Sequence, residues 1–179
     1  NAVKEFVKKN PHSMGAWSKD STTHVTTMGV NDFRFNEISM IVGDASVGEA
    51  NIVFVGKDGQ ETVLKVGHPL ALGDVIDSTF MNAKALRAFL EEQVADAKAQ
   101  GVLFSLHVKA TMMKISDPII FGHAVSAYLK PVFEKHADAL AGVGVNPDNG
   151  LGDLYAKIED LPDDQKTDVK SDIDACIAD

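Results

Sequence analysis

In residues 82–140 the hydrophobic period changes twice, and each change restricts what the backbone there can form. Leu86, Phe89, Leu90, Val94 and Ala97 recur at three- and four-residue spacing behind a capping residue, Asn82. That spacing predicts a helix to about residue 99, with Glu91, Glu92 and Lys98 on its wet face. From 102 to 108 the period falls to two. Val102, Phe104, Leu106 and Val108 share one side of a strand, and Leu103, Ser105, His107 and then Lys109 share the other. Ile120, Phe121, Ala124, Val125, Tyr128, Leu129, Val132 and Phe133 restore helical spacing over 118–140. Pro131 inside that run removes a hydrogen bond to Ala127, so a kink or restart is expected there. Asp117 followed by Pro118 marks the helix start, because aspartate accepts from the orphan amides of a first turn and proline sits where no N–H is needed. The helix, strand and helix together bring one lysine, Lys109, to a strand's carboxyl end, where open α/β sheets place ligands.

The first half reads differently. Ala2–Lys9 forms a short helix with Val3, Phe6 and Val7 on one face, ended by Asn10 and Pro11. Strand-like runs follow at 22–28, 37–42, 50–55, 61–66 and 75–80. Lys57-Asp58-Gly59-Gln60 between the third and fourth predicts a hairpin through a tight primed turn. Met14-Gly15-Ala16-Trp17 reads as a turn and a buried aromatic. Beyond residue 140, Gly142 and Gly144 end the helical region, residues 146–150 form a loop, and two short helices occupy about 151–159 and 163–177, the second acidic and partly exposed. The expected class is α/β or α+β, a mixed sheet with helices packed on it, with residues 1–179 as one domain that belongs to a larger one.

Composition excludes several functions. A formal charge of −9 with scattered Lys and Arg argues against nucleic acid, which needs clustered cations to displace counterions. No apolar run approaches the roughly 20 residues of a membrane span. A single cysteine, Cys176, allows no internal disulfide, and a reducing cytoplasm is the expected setting.

Few side chains are patterned for chemistry. Ser105 and His107 lie two apart on one strand, but there is no G-x-S-x-G elbow and no third group, so they are expected to line a cleft rather than cleave an ester. Lys114 and Asp117 invite an ion-pair or metal reading, yet capping already accounts for Asp117. Gly142-Val143-Gly144-Val145 follows a helix and lacks the third glycine of a dinucleotide fingerprint. Residues 146–153 fail the calcium-loop pattern, and the six histidines lack paired helical spacing for zinc. Met112 and Met113 are expected to pack around the lysine. On composition alone, Lys109 is a strand-end lysine pointing to water, since lysine is seldom buried.

The stretch HVKATMMKISDPIIFG (107–122) resembles the signature of monomeric-type NADP-dependent isocitrate dehydrogenases. The similarity extends upstream through PHSMGAWSKDSTTHV (11–25) and downstream through NGLGDLYAKIEDLP (149–162). It is looser over residues 43–73. KATMMK also resembles the active-site strand of the dimeric isocitrate and isopropylmalate dehydrogenases, where asparagine usually stands two residues after the lysine; Thr111 stands there in this chain. The resemblance implies oxidative decarboxylation of isocitrate to 2-oxoglutarate with NADP and Mg²⁺ or Mn²⁺, and it implies that Lys109 is critical for catalysis. Oxidation needs the 2-hydroxyl proton to leave as hydride departs, and an amine accepts a proton only when neutral. The divalent ion would stabilise the alkoxide and then the enolate.

Members of that family are several times longer than 179 residues, and this sequence opens at Asn1 without an initiator methionine and stops at Asp179 within an apparent helix. The expectation is a central fragment. The family's isocitrate-binding serine, asparagine and arginines precede the matched region, while its metal-binding aspartates, catalytic tyrosine and NADP-binding residues follow it. The isolated chain is therefore expected to be inactive, to bind no NADP or metal, and to carry a protonated Lys109. It is also expected to self-associate through exposed cleft surface. The alternatives are a stand-alone interaction module without catalysis, or a related decarboxylating dehydrogenase acting on another hydroxy acid.

Overall fold

A computed structural model describes residues 2–13 and 15–178. Helices α1 (Ala2–Lys9), α2 (Ala83–Gln100), α3 (Ser116–Tyr128), α4 (Lys130–Lys135), α5 (Ala137–Gly142), α6 (Gly150–Ile158) and α7 (Asp163–Ala178) accompany strands β1 (Ile38–Ile41), β2 (Gly48–Val55), β3 (Glu61–Leu70) and β4 (Val75–Ser78). Helix and strand are both present, as the α/β or α+β class requires. The pairing differs from a single mixed sheet: β1 pairs antiparallel with β4 and β2 with β3, in two separate two-stranded ribbons. Residues 22–28 and 102–109 join neither ribbon. None of the helices among the described residues is long and apolar enough to cross a membrane.

The Asp58-Gly59 signal does produce the β2–β3 hairpin, through a wider loop than a two-residue primed turn. Either primed type needs positive φ at the first central residue, and of Asp58 and Gly59 only Gly59 (φ +78°) supplies it. Gly56 N–H donates to Gln60 O (2.8 Å) and Gln60 N–H to Asp58 Oδ1 (3.1 Å), which closes the loop. Ile52, Phe54, Leu64 and Val66 on this ribbon are all more than half exposed, and an isolated two-stranded hairpin is marginal in water. Trp17, expected to be buried, is 74% exposed; Met14 beside it lies outside the described residues.

The core sits in the helical half. Val125, Leu129, Val132, Leu140, Leu154, Ile158, Leu161, Val169 and Ile173 form one buried cluster, so the helices pack on one another and not on a sheet. Pro131 restarts the helix in the first turn of α4. A second break at His136 (φ −110°, ψ 21°) separates α4 from α5 and was not legible in sequence. At that break His136 Nε2 and Lys135 Nζ both reach Asp172 Oδ2 of α7, each at 2.6 Å. Val169 and Ile173 are fully buried on the same helix. Ile173→Ala should therefore cost about 2–5 kcal/mol of stability, measured by urea denaturation.

The Asp172 cluster makes that docking sensitive to pH. The hydrogen bond from Lys135, then that from His136, holds the Asp172 carboxyl below the usual carboxylate range. A depressed carboxylate contributes stability that is present above its unfolded value, about pH 4, and lost as pH falls through its folded value. Asp172→Asn should be less stable than the wild type near neutrality, with the gap closing in acid. A gap that stays constant from pH 7 to pH 3 would show that the ionised carboxylate contributes nothing.

Candidate functional site

Helix α2 delivers the chain to the site. Asn82 Oδ1 accepts from Ala85 N–H (3.1 Å) at its start. At its end Gly101 takes a left-handed conformation (φ +66°), so that Val102 N–H donates to Ala97 O (3.0 Å) and the backbone turns out of the helix. Val102, Phe104 and Leu106 are then half-buried while Leu103, Ser105 and His107 are exposed, which is the two-residue alternation read from sequence. Val108 breaks it by facing solvent. Phe104 and Leu106 enter an apolar cavity of about 270 Å³ between Leu90 and Val94 of α2 and Phe121 and Val125 of α3. A larger cavity of about 630 Å³ separates residues 101–105 from Thr22, His24 and Thr26, with Asp96 on its wall. Lys109 lines neither cavity.

Lys109 itself is exposed, and its ammonium has no ion pair or hydrogen bond among the described residues. Its backbone is held on both sides. The Lys109 N–H donates to the carboxylate of Asp117, and its carbonyl accepts from Met112 N–H (3.2 Å) and Met113 N–H (2.9 Å). Asp117 is thus not the helix cap it was read as. Helix α3 starts two residues earlier than Pro118, at Ser116, behind Ile115, which makes no side-chain cap. Asp117 N–H donates to Met113 O (3.2 Å), and its carboxylate reaches back to the incoming chain. Pro118 falls within the first turn, where an N–H has no intrahelical partner. Met112 and Met113 do not pack around the lysine; they are 76% and 52% exposed.

Ser105 Oγ and His107 Nε2 lie 2.7 Å apart. No carboxylate orients that imidazole among the described residues, so the pair lacks the third member a nucleophilic triad needs. Lys114 and Asp117 form no ion pair among the described residues. No cluster of three or more His, Cys, Asp or Glu side chains among them is placed to hold a metal ion. The acidic loop uses its oxygens internally, with Asp153 Oδ2 accepting from Asn146 N–H (2.8 Å) and Asn146 Oδ1 from Asp148 N–H (3.0 Å). Gly144 (φ +71°) ends α5 as Val145 N–H returns to Leu140 O (3.0 Å), a helix terminator rather than a phosphate loop. Among the described residues the acidic side chains are not grouped to hold a divalent metal, and the segment through Gly144 is not built as a dinucleotide phosphate loop.

Sequence reasoning missed how α3 is anchored. Gly122, the last residue of HVKATMMKISDPIIFG, lies against the 3₁₀ turn Pro147–Asn149, with an added Cβ only 2.8 Å from Asp148 N and 2.9 Å from Asp148 Cα. Gly150 (φ +78°), from the downstream similar stretch, would bring a Cβ to 2.9 Å from Phe121 Cε1. Nearby, burial and then the Arg87 charge push His123 below the usual imidazole range, against the opposite pull of Asp148. Two stretches far apart in sequence thus interlock, and α3 is fixed with Asp117 in its first turn.

The full length of the chain, residues 1–179, matches the family model described as monomeric isocitrate dehydrogenase. An isocitrate dehydrogenase [NADP] of Corynebacterium efficiens is 55% identical over 89% of this chain and 22% of its own length. Isocitrate dehydrogenase [NADP] 2 of Mycobacterium tuberculosis is 51% identical over 98% of the chain and 23% of its own length. The protein of that name from Colwellia maris is 48% identical over 99% and 24%. The chain therefore spans between a fifth and a quarter of the length of the curated relatives it matches. On the match of every residue to the family model and these identities, the chain belongs to the monomeric isocitrate dehydrogenase family.

Proposed function

We propose that this chain is the part of an NADP-dependent isocitrate dehydrogenase that supplies Lys109 as a proton-transfer group for the substrate's 2-hydroxyl, within a larger domain completed by other polypeptide. The intact enzyme converts isocitrate to 2-oxoglutarate and carbon dioxide, with NADP and Mg²⁺ or Mn²⁺ held by residues outside this chain, in the cytoplasm. The observation that carries the reading is the pinned backbone at an exposed Lys109 whose side chain has no partner among the described residues. A lysine side chain on a fixed backbone, with no carboxylate on its Nζ among the described residues, is available to a hydroxy acid, and cations brought close to it would favour the neutral amine that accepts a proton.

Exposed apolar side chains favour a piece of a larger body over a free-standing module. Leu103 is 90% exposed in the very run that bears Lys109, and Val25 is 97% exposed across the larger cavity. Large exposed apolar side chains of this kind mark surfaces that other polypeptide covers, and self-association of the isolated chain is the expected outcome when that polypeptide is missing. The 179-residue chain mixed with isocitrate, NADP and Mn²⁺ should yield no NADPH absorbance, whereas the intact enzyme should. Turnover by the chain alone would contradict this reading, and an intact enzyme that oxidised a different 2-hydroxy acid in preference would move it to a related decarboxylating dehydrogenase.

A further inference from the structure

We infer that Asp117 is the positioning residue for Lys109, acting as an acceptor on the backbone and not as a helix cap or an acid. This rests on the reading of Lys109 given above. Residues 102–109 join no ladder among the described residues, so a sheet does not set the path of the backbone at the lysine. Two contacts do. The Asp117 carboxylate takes the Lys109 N–H, and the amides of Met112 and Met113 take the Lys109 carbonyl. Among the described residues, only the first is a side-chain contact from α3 to Lys109 itself; the second closes a turn of its own neighbours, which meets α3 through Asp117 N–H on Met113 O (3.2 Å).

The anchor behind Asp117 is firm. Ser116 Oγ donates to Asp117 Oδ1 (3.2 Å), which leaves Oδ2 for the Lys109 amide. Helix α3 buries Val125, is followed at once by fully buried Leu129, and is locked to the Pro147–Asn149 turn at Gly122. The Cα–Cβ direction at Lys109, from which its side chain starts, is thereby tied to the helical core, since fixing N–H and C=O fixes the Cα–Cβ vector between them. A hydrogen bond to a charged acceptor is stronger than one between neutral groups, and loss of a positioning contact acts on rate through the geometry of attack.

The test has two arms. In the 179-residue chain, amide hydrogen exchange at Lys109 should be slower than at Leu103 and should speed roughly tenfold or more in Asp117→Ala. Val125 and Leu129 should keep their protection. Asp117→Asn retains an oxygen acceptor and should preserve most of the Lys109 protection. A Lys109 amide that exchanges in the wild type as fast as Leu103 overturns the tether, whatever Lys109 does. In the intact enzyme, Asp117→Ala should lower kcat about 10- to 100-fold with KM for isocitrate within about twofold, and Asp117→Asn should recover most of it. Equal kcat in Asp117→Ala and wild type overturns the positioning role. Unchanged kcat in Lys109→Met instead overturns the assignment of Lys109, and with it that role, while leaving the exchange result intact.

Discussion

Replacing Gly122 by alanine should destabilise the helical half by about 2 kcal/mol, against the sign that helix propensity alone would give. Alanine gains roughly 1 kcal/mol over glycine inside a helix. Here the new methyl would lie 1.9 Å from Asp148 Oδ1, 2.8 Å from Asp148 N and 2.9 Å from its Cα. The carboxylate can rotate away, but the two backbone atoms move only if the Pro147–Asn149 turn separates from α3. Overpacking of this kind costs typically 1–3 kcal/mol, and more when backbone must shift, so the clash outweighs the propensity gain. Against a total stability of about 5–15 kcal/mol the loss is large.

Gly150→Ala should act on the same contact from the other side. Its φ of +78° with ψ of −168° is a region nearly restricted to glycine, at a cost of about 1–3 kcal/mol for another residue. Because both glycines serve the interlock of α3 with the 147–150 segment, the double variant should lose less than the two singles added. Urea denaturation midpoints measure all three. A higher midpoint for Gly122→Ala would mean that the turn does not press on the helix.

The helical periodicities were legible because each helix stands on local contacts. Asn82 as cap, the stripe from Leu86 to Ala97, the restart at Pro131 and the acidic exposed face of α7 all appear as read. Alternation over 102–107 was also legible, since packing of Phe104 and Leu106 on helices imposes it without any ladder. What the sequence did not disclose depends on partners. Whether residues 22–28 and 102–109 become strands is decided by neighbouring backbone, and no described segment supplies it. The break at His136 follows from a long-range contact to Asp172, and the exposure of Trp17 from the absence of a covering surface among the described residues. At the candidate site, Lys109 was singled out by the resemblance carried by the KATMMK stretch and not by periodicity or composition. The change of Asp117 from cap to tether was not legible, because a two-residue shift of the helix start redirects its carboxylate.

The account stands on one amine doing the proton transfer, and the most direct measurement is kcat of the intact enzyme carrying Lys109→Met. Methionine keeps the length and the unbranched stem of lysine and removes the nitrogen, and the exposed side chain leaves no cavity behind, so fold and substrate affinity should persist. General acid–base catalysis is worth about 10²- to 10⁴-fold. The account predicts a fall in kcat of that size with little change in KM for isocitrate; a variant that turns over within about threefold of the wild type, below the smallest effect expected of such a group, would contradict it.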